Sequence, residues 1–136
     1  MNPTLPPVLA AEDEESDAMI LRLAFKKARL LNPLVVVRDG QDAVDYLNGA
    51  GPSTHPLPGL LILDLKMPRM SGFDVLSWLS TQPTLKALPA VVLSSSSDDS
   101  DIQKARKMGA RDYFVKPHTL PQFIEIIQTL GARWLA

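Results

Sequence analysis

The chain contains no cysteine. A disulfide framework, a thiolate zinc site, an iron–sulfur cluster and a cysteine nucleophile are all excluded, and the composition fits a reducing compartment. There are two histidines, His55 and His118, too few for a histidine-rich metal site. Neither stands at a meaningful spacing from a carboxylate or serine, and both read as loop or surface residues. Long apolar runs are missing too: segments 34–37 and 60–63 each hold four residues, against the ~20 that cross a bilayer. Residues 1–7 lack a basic region leading into an apolar stretch, so no secretory signal is read there and a cytoplasmic location is expected. Excess charge of either sign is absent, with Lys+Arg 14 against Asp+Glu 15 and a formal net charge of -1. Phosphate contact needs clustered Lys and Arg, and the strongest cluster here is only Lys104, Arg106 and Lys107, so no nucleic-acid or membrane partner is expected.

What is present suits one domain over residues 1–136. A chain of this length buries roughly two thirds of its unfolded surface, and 46% hydrophobic with 21% charged residues is ordinary for a globular protein. Apolar or β-branched segments at 7–11, 34–37, 60–63 and 90–93 read as buried strands, with a shorter fifth at 113–115. Helical patterns lie between them. The first, 16–31, is expected to set Ile20, Leu23, Ala24 and Leu31 on one face, with Glu14, Glu15 and Asp17 at the positive end of its dipole and Lys26, Lys27 and Arg29 at the other. Others run over 42–48, from Ser71 to about Ser80, over 101–108 before Gly109, and from a Thr119/Gln122 capping pair through Leu130. Segments 49–59 and 81–89, rich in proline, read as surface loops. Five alternations of strand and helix with wholly apolar strands predict a flavodoxin-like, doubly wound α/β fold: a parallel five-stranded sheet in the order 2-1-3-4-5 with helices on both faces.

In that topology the polar residues ending the strands converge on one crevice. Strand one ends in Glu12 and Asp13, strand three in Asp64, strand four in Ser94 and strand five in Lys116-Pro117. Strand two offers only Arg38 and Asp39, and Asp39-Gly40 reads as a turn. Each group alone has an ordinary explanation, a cap for Glu12-Asp13 or Ser94 and a turn for Asp64 or Lys116-Pro117. Together they are hard to credit to capping. Clustered carboxylates repel in a partly dry crevice unless cations neutralise them. Oxygen ligands without Cys or His suit magnesium beside a phosphate. A carboxylate nucleophile at Asp64, a metal, a lysine and a hydroxyl are the parts for phosphoryl transfer.

These residues resemble the receiver domain of bacterial response regulators over nearly the full chain. The stretch Asp64-Leu65-Lys66-Met67-Pro68-Arg69-Met70-Ser71-Gly72 is similar to the family's phosphoacceptor loop, Glu12-Asp13 to its acidic pair, and Leu93-Ser94-Ser95 to its strand-four hydroxyl. Tyr113 and Lys116-Pro117 match its switch aromatic and lysine. The resemblance implies that Asp64 accepts a phosphoryl group from a sensor histidine kinase. It implies magnesium held by Asp13, Asp64 and the Lys66 carbonyl, with Glu12 acting through water, and phosphoryl oxygens bound by Ser94 and Lys116. It also implies a cis Lys116–Pro117 peptide, and a switch in which Ser94 and Tyr113 move to remodel the face of helix four, strand five and helix five. The stretch 131–136 after the fifth helix leaves no room for an output domain, so a stand-alone receiver is expected. Arg133-Trp134-Leu135 and the loop 82–89 are similar to the subgroup that partners bacterial phytochromes, which implies a bacteriophytochrome as kinase and a homodimer through the helix-five face, with an exposed Trp134 as anchor.

Some alternatives stay open. Serine stands at 94 where threonine is more frequent, Ser95 could face the phosphate instead, and Ser97 reads as a helix cap. A haloacid-dehalogenase-type phosphatase needs an acid two residues after the nucleophile, where Lys66 stands. A pseudo-receiver would lack an acid or the lysine. A flavodoxin-type carrier is disfavoured because Glu12 to Glu15 would repel a flavin phosphate.

Overall fold

The computed structural model describes residues 5–49 and 56–135; His55 lies outside them. Five strands, β1 (Val8–Ala11), β2 (Leu34–Val37), β3 (Leu60–Leu63), β4 (Ala90–Ser94) and β5 (Asp112–Val115), pair in parallel in the expected order β2-β1-β3-β4-β5. Five helices connect them: α1 (Glu15–Lys27), α2 (Gly40–Asn48), α3 (Gly72–Ser80), α4 (Asp99–Lys107) and α5 (Leu120–Leu130). The β1, β3 and β4 segments are buried along their whole length, which is why they read as unbroken apolar runs, whereas β2 at the sheet edge is only half-buried.

Side chains alternate across the sheet and divide the interior into two cores. Leu9, Leu61, Leu63, Val92 and Tyr113 face α2, α3 and α4. Val8, Ile62, Val91, Leu93 and Phe114 face α1 and α5, whose Phe25, Phe123, Ile127 and Leu130 close that side.

Several local expectations change. The helix expected over 16–31 stops at Lys27, because Arg29 turns left-handed (φ 59°) and Leu30 N–H bonds back to the Phe25 carbonyl at 3.2 Å, a Schellman ending. Its buried stripe is Ala18, Leu21, Ala24 and Phe25; Ile20, Leu23 and Leu31 are exposed. Apolar residues occur around most of α1, so the sheet takes the stripe carrying the large Phe25. The α4 helix ends the same way, with Gly109 at φ 108° and Ala110 N–H reaching the Ala105 carbonyl at 3.0 Å. Trp134 is not the exposed anchor expected. It lies half-buried against the α1/α5 core in a π-helical turn, Gly131–Leu135, and its indole N–H donates to Asp112 Oδ2 at 3.0 Å.

Candidate functional site

The parallel register sets the strand ends level. Ala11 pairs with Leu63, and Asp64 N–H donates to the Ala11 carbonyl at 3.2 Å, so Glu12 and Asp64 leave the sheet side by side. Ser94 pairs with Val115, and Lys116 N–H donates to the Ser94 carbonyl at 2.7 Å. From there the Lys116 side chain reaches back over the carboxyl edge. One oxygen each from Glu12, Asp13 and Asp64 lies within 4.8 Å of the others, Asp13 exposed and the other two buried. Three hard oxygen donors this close, with no nitrogen or sulfur among them, fit a divalent cation such as magnesium. A cavity of about 160 Å³ lined by Glu12, Asp13, Glu15 and Arg38 opens beside them.

Lys116 Nζ is 2.7 Å from Glu12 Oε1, 2.8 Å from Asp17 Oδ2 and 2.9 Å from Asp64 Oδ2. Burial alone would lower the lysine pKa, but hydrogen bonds to Asp17, Glu12 and Asp64 outweigh it and hold the ammonium above its ordinary value. Burial pushes the Glu12 carboxyl up to about 7, an effect that Lys116 offsets only in part. Asp17 was missed by sequence reasoning, which assigned its charge to the α1 dipole. Its only signal was a further acid one turn beyond the Glu12-Asp13 pair.

Ser94 is 1% exposed at the end of β4, and its hydroxyl accepts from Ser96 N–H at 3.1 Å. Among the described residues no hydrogen bond joins it to Asp64. Tyr113 is already turned inward, 9% exposed, with its hydroxyl donating to the Ser96 carbonyl at 2.8 Å. Ser97 does not cap α4: the cap position is Asp98, and Ser96 makes the local bonds, its hydroxyl donating to Asp101 Oδ2 at 2.6 Å. The Lys116–Pro117 bond is trans, not cis. Trans is the intrinsically preferred X-Pro isomer, and here Lys116 already reaches three carboxylates from it.

The loop after Asp64 is tied down at both ends. Gly72 N–H donates to the Leu65 carbonyl at 3.0 Å, and a Cβ at Gly72 would stand 2.3 Å from the Asp64 carbonyl oxygen, so only glycine fits. Ser71 and Asp74 exchange the two bonds of a capping box that starts α3. Arg69, at φ 64°, reaches Asp39 Oδ2 at 2.8 Å and Asp42 Oδ1 at 2.8 Å. Asp39 is therefore no simple turn residue. Its carboxylate caps α2 through Asp42 N–H, is buried, and is held below its ordinary pKa first by the Arg69 hydrogen bond. Lys66 is exposed within this loop, and His118, two residues beyond Lys116, is exposed as well, a surface residue as the sequence reading expected.

A larger cavity of about 350 Å³, between α3 and the segments before β4 and β5, is floored by leucines and lies away from these groups. Sheet order and the gathering of acids beside a lysine at the carboxyl edge define the class: a flavodoxin-like α/β domain with an acidic crevice at the carboxyl ends of its strands. The chain belongs to the response regulator receiver domain family, which it matches over residues 8–128. It is 30% identical to the probable methanogenesis regulatory protein FilR2 of Methanothrix harundinacea, over 94% of this chain and 83% of that protein. It superposes on the phosphorylated cyanobacterial phytochrome response regulator RcpA with a TM-score of 0.87 at 31% identity, covering 97% of this chain and 95% of that one. Against the bacteriophytochrome response regulator AtBRR the TM-score is 0.79 at 37% identity, with 98% of each chain covered. This is a receiver domain of two-component signalling, similar to phytochrome response regulators. No helix among the described residues is long and apolar enough to cross a membrane.

Proposed function

We propose that Asp64 accepts a phosphoryl group from the phosphohistidine of a sensor histidine kinase. The observation that carries this reading is the buried Asp64 carboxylate, 2.9 Å from Lys116 Nζ and beside the Glu12-Asp13 pair. A free oxygen of Asp64 attacks phosphorus in line. The P–N bond breaks with its electron pair going to the imidazole nitrogen, which takes a proton from solvent, and an acyl phosphate remains on Asp64. Lys116 and the Ser94 hydroxyl bind phosphoryl oxygens. Asp13, Asp64 and the Lys66 carbonyl would hold magnesium, with Glu12 acting through water, and the ion would neutralise the charge that builds on the oxygens.

Switching requires that the phosphoryl group be bound better in one loop arrangement than another. Ser94 is the lever: its hydroxyl accepts from Ser96 N–H and keeps its own proton to donate to a phosphoryl oxygen, so a shift of Ser94 toward the phosphate is passed to Ser96, whose carbonyl holds the Tyr113 hydroxyl. The readout is the face of α4, β5 and α5. The likeness to phytochrome response regulators supports a bacteriophytochrome as the kinase. Self-association through the α5-containing face would use residues such as Val115, 41% exposed on the edge strand, in place of Trp134. Light scattering before and after phosphorylation tests that arm.

The test of the phosphoacceptor is intact mass after incubation with acetyl phosphate, with and without magnesium, for the wild type and Asp64→Asn. A magnesium-dependent, alkali-labile gain of one phosphoryl group, absent in Asp64→Asn, is expected. No gain under any condition would leave a binding module that has kept the fold.

A further inference from the structure

The loop that follows Asp64 holds one residue in a conformation that its side chain disfavours: Arg69 lies in the left-handed region at φ 64°. What keeps it there comes from α2. Arg69 Nε donates to Asp39 Oδ2 at 2.8 Å, and Nη2 donates to Asp39 Oδ1 at 3.2 Å and to Asp42 Oδ1 at 2.8 Å. The Gly40 N–H donates to the Met70 carbonyl at 3.1 Å, so two adjacent loop residues are bound to the start of α2. Arg69 is exposed, where a lone ion pair contributes little, but its fork grips both oxygens of a carboxylate whose side chain is only 9% exposed. The base of the loop is closed separately, by Gly72 N–H on the Leu65 carbonyl. Residues 66–68 lie between these ties, so the place of the Lys66 carbonyl is set by Leu65 on one side and by Arg69 on the other.

We propose that Arg69 is a positioning residue for the divalent cation: by clasping Asp39 and Asp42 it docks the loop on α2 and so fixes the Lys66 carbonyl as a ligand. It acts through the backbone of Lys66, without touching the ion or the phosphoryl group. The inference rests on the reading of Asp13, Asp64 and the Lys66 carbonyl as the metal's ligands. Charge alone makes a different prediction. A cationic side chain near an acidic site repels a metal ion, so losing Arg69 should tighten metal binding and losing the Asp39 charge should weaken it. A clasp predicts weakening from both, because either loss opens it.

The test is binding of manganese(II), a divalent stand-in for magnesium whose free ion is counted by its electron paramagnetic resonance signal. Wild type, Arg69→Asn, Asp39→Asn and the double variant are compared, with circular dichroism confirming the fold of each. Asparagine tolerates the left-handed region, so Arg69→Asn opens the clasp without adding backbone strain, and at position 39 it still caps α2. Each single variant should bind manganese about tenfold more weakly, the scale on which support behind a metal ligand acts, and the double variant should be no weaker than either single one. Gly40 N–H should also exchange faster in Arg69→Asn without any metal present, since its bond to the Met70 carbonyl loosens with the clasp. Tighter or unchanged binding in Arg69→Asn would overturn the proposal. So would a double variant in which the two effects cancel or multiply, because the residues would then act separately. Wild-type binding that is absent, or that survives Asp13→Asn, would refute the metal site on which the proposal rests, an outcome distinct from variants that bind like the wild type.

Discussion

Replacing Gly72 by alanine tests how closely the backbone around Asp64 is packed. The added Cβ would stand 2.3 Å from the Asp64 carbonyl oxygen, against 3.4 Å for the nearest ordinary contact, and 3.0 Å from the Leu65 Cα. Both neighbours are backbone, so no side chain can swing aside, and the 1.1 Å deficit must be taken up by moving the end of β3 or the start of α3. Overpacking of this kind costs about 1–3 kcal/mol. Alanine returns up to about 1 kcal/mol in helix propensity at this position. The net loss of about 1–2 kcal/mol corresponds to a Tm about 3–10 °C lower. Function should suffer more, since a displacement near 1 Å at a reacting group slows chemistry roughly 10- to 100-fold. Gly109→Ala is the counterpart: at φ 108° with nothing within 4 Å of the new methyl, it strains the end of α4 without touching the site. It should lose about 1–2 kcal/mol and phosphorylate at the wild-type rate. Thermal melts and acetyl phosphate labelling rates read both quantities. A Gly72→Ala protein labelled as fast as the wild type would refute the argument.

Three further outcomes follow from geometry described above. Arg69→Gln removes the main cause of the lowered Asp39 pKa; that group stabilises the fold above its ordinary 3.8 and loses its contribution as pH falls through the depressed folded value, so the variant should begin acid unfolding at higher pH, and an unshifted circular-dichroism titration would count against the ion pair. Tyr113→Phe deletes the bond to the Ser96 carbonyl, worth about 1 kcal/mol net, and should speed amide exchange across 96–101 while leaving α1 and α5 unchanged. Ile127→Ala empties a fully buried position of the α1/α5 core and should cost about 2–5 kcal/mol in urea unfolding, with little change in labelling at Asp64.

Features set by neighbours in the chain were legible before any coordinates. The start of a helix at Ser71 and the end of another before Gly109 are settled within a few residues, and the strands announced themselves because burial on both faces demands unbroken apolar runs. Strand order brought Glu12, Asp64, Ser94 and Lys116 together, since in a doubly wound sheet the carboxyl ends share one edge. What stayed hidden depends on partners far apart in sequence. Asp39 meets Arg69 thirty residues away, and Trp134 meets Asp112 twenty-two residues away, so neither pairing leaves a periodic trace. Asp17 looked like a dipole charge because the lysine that claims it lies ninety-nine residues on. The α1 stripe misled for a different reason: with Met19, Ile20 and Leu23 beside Leu21 and Phe25, apolar periodicity admits two faces, and only packing on the sheet chooses.

The sheet separates two interiors, and Tyr113 belongs to the one against α2, α3 and α4. The core against α1 and α5 is built from the opposite strand faces and shares no side chain with it. Substitutions in separate cores without common contacts combine nearly additively. A lineage, or a designer, is therefore free to repack α1 and α5 around a new partner while the linkage from Ser94 through Ser96 to Tyr113 is left unaltered. Partner choice and switching can change on independent clocks within one small domain.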